Sequence, residues 1–406
     1  MYINLPSLEE YLGSFSNLER HPDKRSLKLK TMSILCEYFG HPETACPCFH
    51  VAGSKGKGTI ASGIAMILRS MGYKTGVYSS PHVYHFTERI SDGSGAFSQE
   101  IYQKAEAELK SGIEALATRG DIKKENLTWF ELVTIFAMLV FREAKVDYSI
   151  YEVGMGGRLD TTNIIQPLAI GMGPIELEHT KILGDTLAQI AAEKAGVFKP
   201  GVPVISAPQD AEVQEVFKSY AAKNHTIVKY LEDADYQILD ARIAAKCAQV
   251  AFPELDIERS VSIALSASLP GRYELIKDYH GIPYLLMDGA HTENSIKKVL
   301  ARMKKDGFRG YLIFACAADK NVEKIARAIV DSGLFLAIYV TRPGDFKKSD
   351  FTRAKEAFEG THIKVYADPD FQKLIKQALE DSKKANLPCA SLGSFYLPEQ
   401  IKNIVK

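Results

Sequence analysis

The segment His50 to Thr59, HVAGSKGKGT, sets three glycines and two lysines between an apolar run and an apolar helical stretch. A strand, a glycine turn and a helix start, in that order, aim backbone N–H groups at one point where the helix dipole favours an anion. Gly53, Gly56 and Gly58 let the backbone approach phosphate oxygens closely and take positive φ. Lys57 adds a point charge, and Thr59 a hydroxyl suited to phosphate or metal. The spacing departs from the common G-x-x-x-x-G-K-[ST] pattern, because Gly58 separates Lys57 from Thr59 and Lys55 offers a second cation.

Three further segments carry groups of the same chemistry. In VYSSPHVYHFTERI, Ser79 and Ser80 fall at a C-terminal strand end, where open α/β sheets place their ligands. A hydroxyl there suits a magnesium ion held by phosphates. YEVGMGGRLDTTN ends an apolar strand on Glu152, a carboxylate suited to be a magnesium ligand or a base. Gly154, Gly156 and Gly157 then allow a substrate to come close, and Arg158 and Asp160 follow in the same loop. PIELEHTKILGDTLAQIAAEKAGVFKPG carries His179 in a loop and Lys194 in the next helix. Taken singly, such a histidine is ordinarily structural or exposed, and such a lysine solvated.

These residues need a scaffold, and the pattern between them supplies one. Short β-branched runs alternate with helical stretches: FHVAG, then IASGIAMILRSMG, then KTGVYSS; FELVTIFAMLVFREAKV, then YSIYEVG; LAQIAAEKAGVF, then VPVISAP. That alternation predicts a parallel sheet covered by helices on both faces. Ser91 to Asn126 is polar and helical and reads as an excursion over one sheet edge. Near SASLPGRYEL the alternation restarts, through PYLLMDGAH, YLIFACAADK, FLAIYVTRP, HIKVYADPD and CASLGSFYL. A second, smaller α/β domain is expected after a linker near Ala267.

The 406 residues are enough for two cores. Lys plus Arg and Asp plus Glu number 50 each, a balance that gives no reason to expect nucleic acid or an anionic membrane as partner. A hydrophobic fraction of 46% argues against disorder, and no apolar run is long enough to span a membrane. The opening MYINLPSLEEYLG lacks a basic region followed by an apolar core, so a cytoplasmic location is expected. Six scattered cysteines fit a reduced chain. HPETACPCFH gathers His41, Cys46, Cys48 and His50, but alternation along a strand argues against a tetrahedral zinc site.

In order along the chain, the glycine loop, SSPH…ERI, LTWFE, EVGMGGRLDTTN, LEHTKILGDTLAQIAAEKAGVFKPG, PGRYE, DGAH and GSFY resemble the folylpolyglutamate synthase/dihydrofolate synthase family of the Mur ligase superfamily. The likeness is densest from His50 to Gly201. It implies an α/β protein with a P-loop NTPase-like parallel-sheet N-terminal domain, residues 1–267, and a smaller Rossmann-like C-terminal domain, residues 268–406. It also explains Gly58, because the family's loop reads glycine-lysine-glycine-serine/threonine. The implied ATP site comprises Gly53, Ser54, Lys55, Gly56, Lys57, Gly58 and Thr59, with Arg272, Asp288 and His291 from the second domain. Ser80 and Glu152 match ligands of one Mg2+; Glu152 and His179 match ligands of a second, completed by a carbamylated Lys194. Lys57, Glu152, His179 and Lys194 are thus the implied catalytic set, and Thr128, Phe130 and Asp160 match a pterin pocket.

The implied reaction is ATP-dependent amide formation between a dihydropteroate or folate carboxylate and L-glutamate, through an acyl phosphate that a closing cleft shields. A monomer is expected. The chain departs from the family pattern in DGAHTEN, with Thr292 and Glu293 where the family has asparagine-proline. Asp240 stands where the family usually has asparagine, and the stretch from VISAP to YQILDA is short. Two alternatives are a catalytically impaired paralogue and another Mur-type amide ligase. A cell-wall ligase needs an N-terminal UDP-binding domain, and only 52 residues precede Gly53.

Overall fold

The computed structural model describes residues 3–17, 29–233, 235–345 and 348–404; Met1 and Tyr2 of the opening segment read above lie outside them. The chain divides into two compact units, Met1–Ala267 and Ser268–Lys406.

Among the described residues, the first unit is built on seven strands: β1 Cys48–Ala52, β2 Thr75–Tyr78, β3 Ile90–Ser91, β4 Tyr148–Glu152, β5 Ala169–Met172, β6 Val204–Ser206 and β7 Val228–Tyr230. Their order is β3-β2-β4-β1-β5-β6-β7. Every neighbouring pair is parallel except β2 with β3, so the edge excursion read from the sequence begins with a short antiparallel strand. All five residues of β1 are buried, which is why its sequence, apart from His50, is apolar rather than alternating.

The helix Trp129–Ala144 owes its start to a capping box, in which Thr128 and Glu131 each satisfy the other's backbone N–H. It is buried almost all round, from Trp129 to Phe141, and forms the centre of the core on its side of the sheet. On the other side, the helix Lys57–Ser70 is packed by the helix Tyr236–Ala251. Small residues let the two backbones approach: a Cβ on Gly63 would stand 2.9 Å from Ala244 Cβ and 3.2 Å from Ala264 Cβ.

The second unit holds β8 Glu274–Tyr279, β9 Ile282–Met287, β10 Gly310–Phe314, β11 Phe335–Val340, β12 Lys364–Ala367 and β13 Cys389–Leu392, ordered β12-β11-β10-β13-β9-β8. The five strands read from the sequence are all present and parallel; β8, which the sequence reading left unassigned, pairs antiparallel with β9. His280 and Gly281 make that hairpin turn, both at positive φ.

Because the Gly63 site has no free space, Gly63→Val is expected to lower stability by about 1–3 kcal/mol through overpacking. A urea unfolding curve checks it, and an unchanged midpoint would contradict the packing described.

Candidate active site

Parallel pairing brings the C-terminal ends of β2, β4, β1 and β5 to one edge of the first sheet. The chain leaves β1 for β2, β3 and β4 on one side and then crosses from β4 to β5 on the other, which makes this edge a topological switch point. The loop Gly53–Gly58 lies there. Gly53, at φ 134°, touches Gly173 so closely that a Cβ would meet backbone at 2.8 Å. Gly56, at φ 79°, is the N-cap residue of the helix Lys57–Ser70, so the start of that helix lies at the loop. Ser54 clasps the loop to the segment after β5: its N–H donates to Pro174 O at 2.9 Å and its hydroxyl to Glu176 O at 3.1 Å.

Two lysines converge on one carbonyl. Lys57 Nζ donates to Gly53 O at 3.1 Å and Lys194 Nζ donates to the same oxygen at 2.9 Å. Lys194 does not point to solvent; only 1% of it is exposed, and it also donates to Glu178 Oε1 at 2.9 Å. Burial lowers the Lys194 ammonium to about 8, with Glu178 opposing and Lys57 assisting. Burial alone would raise the Glu178 carboxyl; Lys194, Lys57 and Lys55 reverse this and hold it at about 2. Glu178 is therefore the common counter-charge of three lysines. Sequence reasoning passed over it, since a glutamate beside His179 in a polar loop carries no local signal. His179 starts the short helix Thr180–Leu183 and is itself in the left-handed region, at φ 49°.

A second group lies across β1, where β4 ends. Ser80 N–H donates to Glu152 Oε2 at 3.1 Å, and Glu152 is buried. A Cβ on Gly154 would stand 3.4 Å from both Phe130 Cε1 and Asp160 Oδ2 and 3.7 Å from Ser80 Oγ, so the missing side chain lets these three meet. Asp160 accepts from four donors: the N–H groups of Gly154, Met155 and Thr162, and the Thr162 hydroxyl. Its carboxylate fixes the loop after β4. Thr162 Oγ1, having donated to Asp160, accepts from His50 Nε2 at 2.8 Å; this assigns the proton to Nε2 of the fully buried His50. Thr128 Oγ1 is likewise engaged with Glu131, whereas the Phe130 ring is half-buried beside Gly154.

Ser80 and Glu152 present hard oxygen donors side by side, which fits Mg2+. Among the described residues, no three His, Cys, Asp or Glu side chains converge as a cage. A cation here would complete its shell with phosphate and water, as Mg2+ prefers. Lys194, as an ammonium, is a donor and cannot ligate. The cysteine-histidine cluster disperses: Cys46 Sγ turns to Ser149 Oγ, Cys48 Sγ to Gln166 O, and His41 to Glu43.

In the second unit, Asp288 follows β9 and accepts from the N–H groups of Tyr273 and Ala290, both at 2.7 Å. Withdrawal from water pushes its carboxyl up to about 6 against those bonds and Arg272 and Arg302. His291 Nδ1 lies 2.8 Å from Gly289 O; a carbonyl only accepts, so Nδ1 carries the proton and Nε2 the lone pair in the neutral ring. The Arg272 guanidinium sits 4.6 Å from the Phe395 ring, against which the His291 ring also packs edge-on. Phe395, in the GSFY segment, is the platform for both and was not singled out from sequence. Thr292 caps the helix Glu293–Lys305, and Glu293 is directed to Lys297 and Lys324.

Residues 271–388 match the model of the Mur ligase glutamate ligase domain. The dihydrofolate synthase/folylpolyglutamate synthase of Bacillus subtilis is 30% identical over 424 aligned positions, covering 93% of this chain and 95% of that protein. The chain belongs to the dihydrofolate synthase/folylpolyglutamate synthase family. The member of that name from Escherichia coli is 31% identical, covering 78% of this chain and 77% of its own length. A folylpolyglutamate synthase solved with AMPPCP and folate superposes with a TM-score of 0.79 at 25% identity, covering 99% of this chain and all of that one. The two-domain α/β fold of the family is therefore the fold of this chain.

Asp160→Asn replaces one acceptor oxygen by a donor where four donors converge. At least one buried N–H or hydroxyl then loses its partner, and an expected destabilisation of about 1–3 kcal/mol is read from the denaturant midpoint.

Proposed function

We propose that this chain is an ATP-dependent ligase that joins L-glutamate to dihydropteroate, to a folate, or to both. The observation that carries the reading is the cation cluster Lys55, Lys57 and Lys194 around Glu178, beside the N-terminus of the helix Lys57–Ser70 and on the same sheet edge as Glu152 and Ser80. That cluster serves a reaction in which two anions must meet. A substrate carboxylate oxygen bonds to the γ-phosphorus as the bond to the β,γ-bridging oxygen breaks, giving an acyl phosphate and ADP. The glutamate amine then bonds to the acyl carbon, loses a proton, and phosphate leaves. Lys57 and the N–H groups of the helix start neutralise the β- and γ-phosphates. Ser80 and Glu152 would hold Mg2+, which supplies further neutralisation there when bound. The half-buried Phe130 ring beside Gly154 offers a flat apolar face for a pterin, on a loop held by Asp160. Arg272, held against the Phe395 ring, is assigned with His291 and Asp288 to contacts with the nucleotide.

Lys194 takes a second role in this reading. With its ammonium lowered to about 8, a substantial neutral amine fraction exists just above neutral pH. That amine adds to CO2, forming an N–C bond and releasing a proton, and the resulting carbamate would offer an oxygen ligand that, with His179 and Glu152, would hold a second Mg2+. The free, mostly buried cysteines support a reducing compartment, the cytoplasm, and we assign a monomer.

Phosphate release from ATP is expected with dihydropteroate or tetrahydrofolate only when L-glutamate is present; no release above background with any pterin refutes the ligase. For Lys194, a carbamate carbon resonance in 13C-bicarbonate is expected to grow as pH rises through about 8. The sign follows from the amine, which must lose its proton before it can react. Absence of the resonance in wild type, or its persistence in Lys194→Ala, excludes this modification.

A further inference from the structure

A carboxylate stands at the phosphate loop itself. The helix Tyr236–Ala251 runs along the helix Lys57–Ser70, with Ala244 against Gly63, and one turn earlier Asp240 reaches the loop. A Cβ on Gly56 would lie 2.5 and 2.7 Å from the two carboxylate oxygens of Asp240. Gly56 is the N-cap residue of the loop helix, its carbonyl accepting from Ile60 N–H at 2.9 Å, and as a glycine it brings no side chain of its own to that end. Asp240 is only 5% exposed, so its charge is screened little by solvent. It therefore faces the positive end of the helix that a nucleotide's phosphates would also face.

We propose that Asp240 is an internal counter-anion of the phosphate loop. It stabilises the empty loop through the helix N-terminus and opposes nucleotide phosphates by like charge, so it sets nucleotide affinity and favours release of ADP. The physical basis is a competition of two anions for one dipole end and one set of lysines. Glu178 already offsets Lys194, Lys57 and Lys55 from the β5 side of the loop, and Asp240 adds a second negative charge from the side of the loop helix. The role is that of a positioning residue, since Asp240 is assigned no bond to the reacting atoms. It rests on the reading of this loop as an ATP site.

Asp240→Asn keeps the shape and removes the charge. Calorimetric titration at low salt is expected to show ADP binding about 5–10-fold tighter than to wild type, a larger gain for AMPPCP, and none for adenosine. The gain is expected to shrink as salt is raised. The nucleotide-free variant is expected to melt lower by about 1–4 °C, because the helix start loses its anion. A purely structural aspartate predicts the opposite pairing, with stability and affinity falling together. Asp240→Ser, which cannot reproduce an amide's hydrogen bonds, must show the same order of gains. Unchanged or weaker ADP and AMPPCP binding in both variants overturns the proposal, as does an equal gain for adenosine. Failure of the wild type to bind either nucleotide overturns the ATP reading and this proposal with it, whereas wild-type binding without a gain in the variants overturns the proposal alone.

Discussion

The carbonyl of Gly53 accepts from two lysines, and the carboxylate of Glu178 neutralises one of them outright. An ammonium as deeply buried as Lys194 costs several kcal/mol unless it is paired and hydrogen-bonded. The fold therefore has to deliver three distant pieces of chain to one place: the loop after β1, the segment after β5, and the last turn of the helix Leu187–Ala195. Parallel pairing of β1 with β5 does this, since both strands end at the same edge and the helix that follows returns alongside. The Ser54 clasp to Pro174 and Glu176 locks the first two pieces together. The charge arrangement and the strand order are one constraint seen at two scales.

The other half of the site depends on close approach rather than on charge. Val51 lies opposite Glu152 in the sheet, and Val153 N–H donates to Val51 O at 2.9 Å, so the loop after β4 starts from a fixed point beside the phosphate loop. From there the backbone runs tight. A Cβ on Gly157 would stand 2.8 Å from Glu193 O and 2.9 Å from Lys194 O, which ties this loop to the helix carrying Lys194. Asp160 then collects the N–H groups that a strand or helix would otherwise satisfy. Glycine and a buried carboxylate thus perform complementary tasks: one removes volume, the other supplies hydrogen-bond acceptors.

How much of this was legible follows from how local each signal is. The strand-loop-helix order around Gly53–Thr59 and the carboxylate ending β4 are contiguous patterns, and the sheet places both at the C-terminal ends of its parallel strands. Lys194 was illegible by pattern because a lysine near a helix end is ordinarily solvated; only the pairing with Glu178, sixteen positions away, makes its burial tolerable. Glu178 was missed for the same reason in reverse. Glu293, a departure from the family pattern in sequence, pairs with Lys297 one turn on in its own helix, and only its second partner, Lys324, depends on how the helices pack. β8 escaped because all its residues but Tyr279 are half-buried or exposed, so it lacks the continuous apolar run of its neighbours.

The chain from His50 through Thr162 to Asp160 joins these two halves of the site below its surface. Each donor in it has one acceptor open to it: Asp160 takes the Thr162 hydroxyl proton, so Thr162 must accept from His50, and His50 must carry its proton on Nε2. Burial holds the ring neutral, down to about 3, so no charge competes with the lysines on the far side of β1. A protonated His50 would place a cation beside Lys199, which already lowers it. The polar interior of this unit is therefore directional. Hydrogen bonds to the Asp160 carboxylate support the loop beside the Phe130 ring, and the buried Lys194–Glu178 pair lies beside the loop after β1. One sheet edge thus carries both the half-buried Phe130 face and the lysines gathered around Glu178.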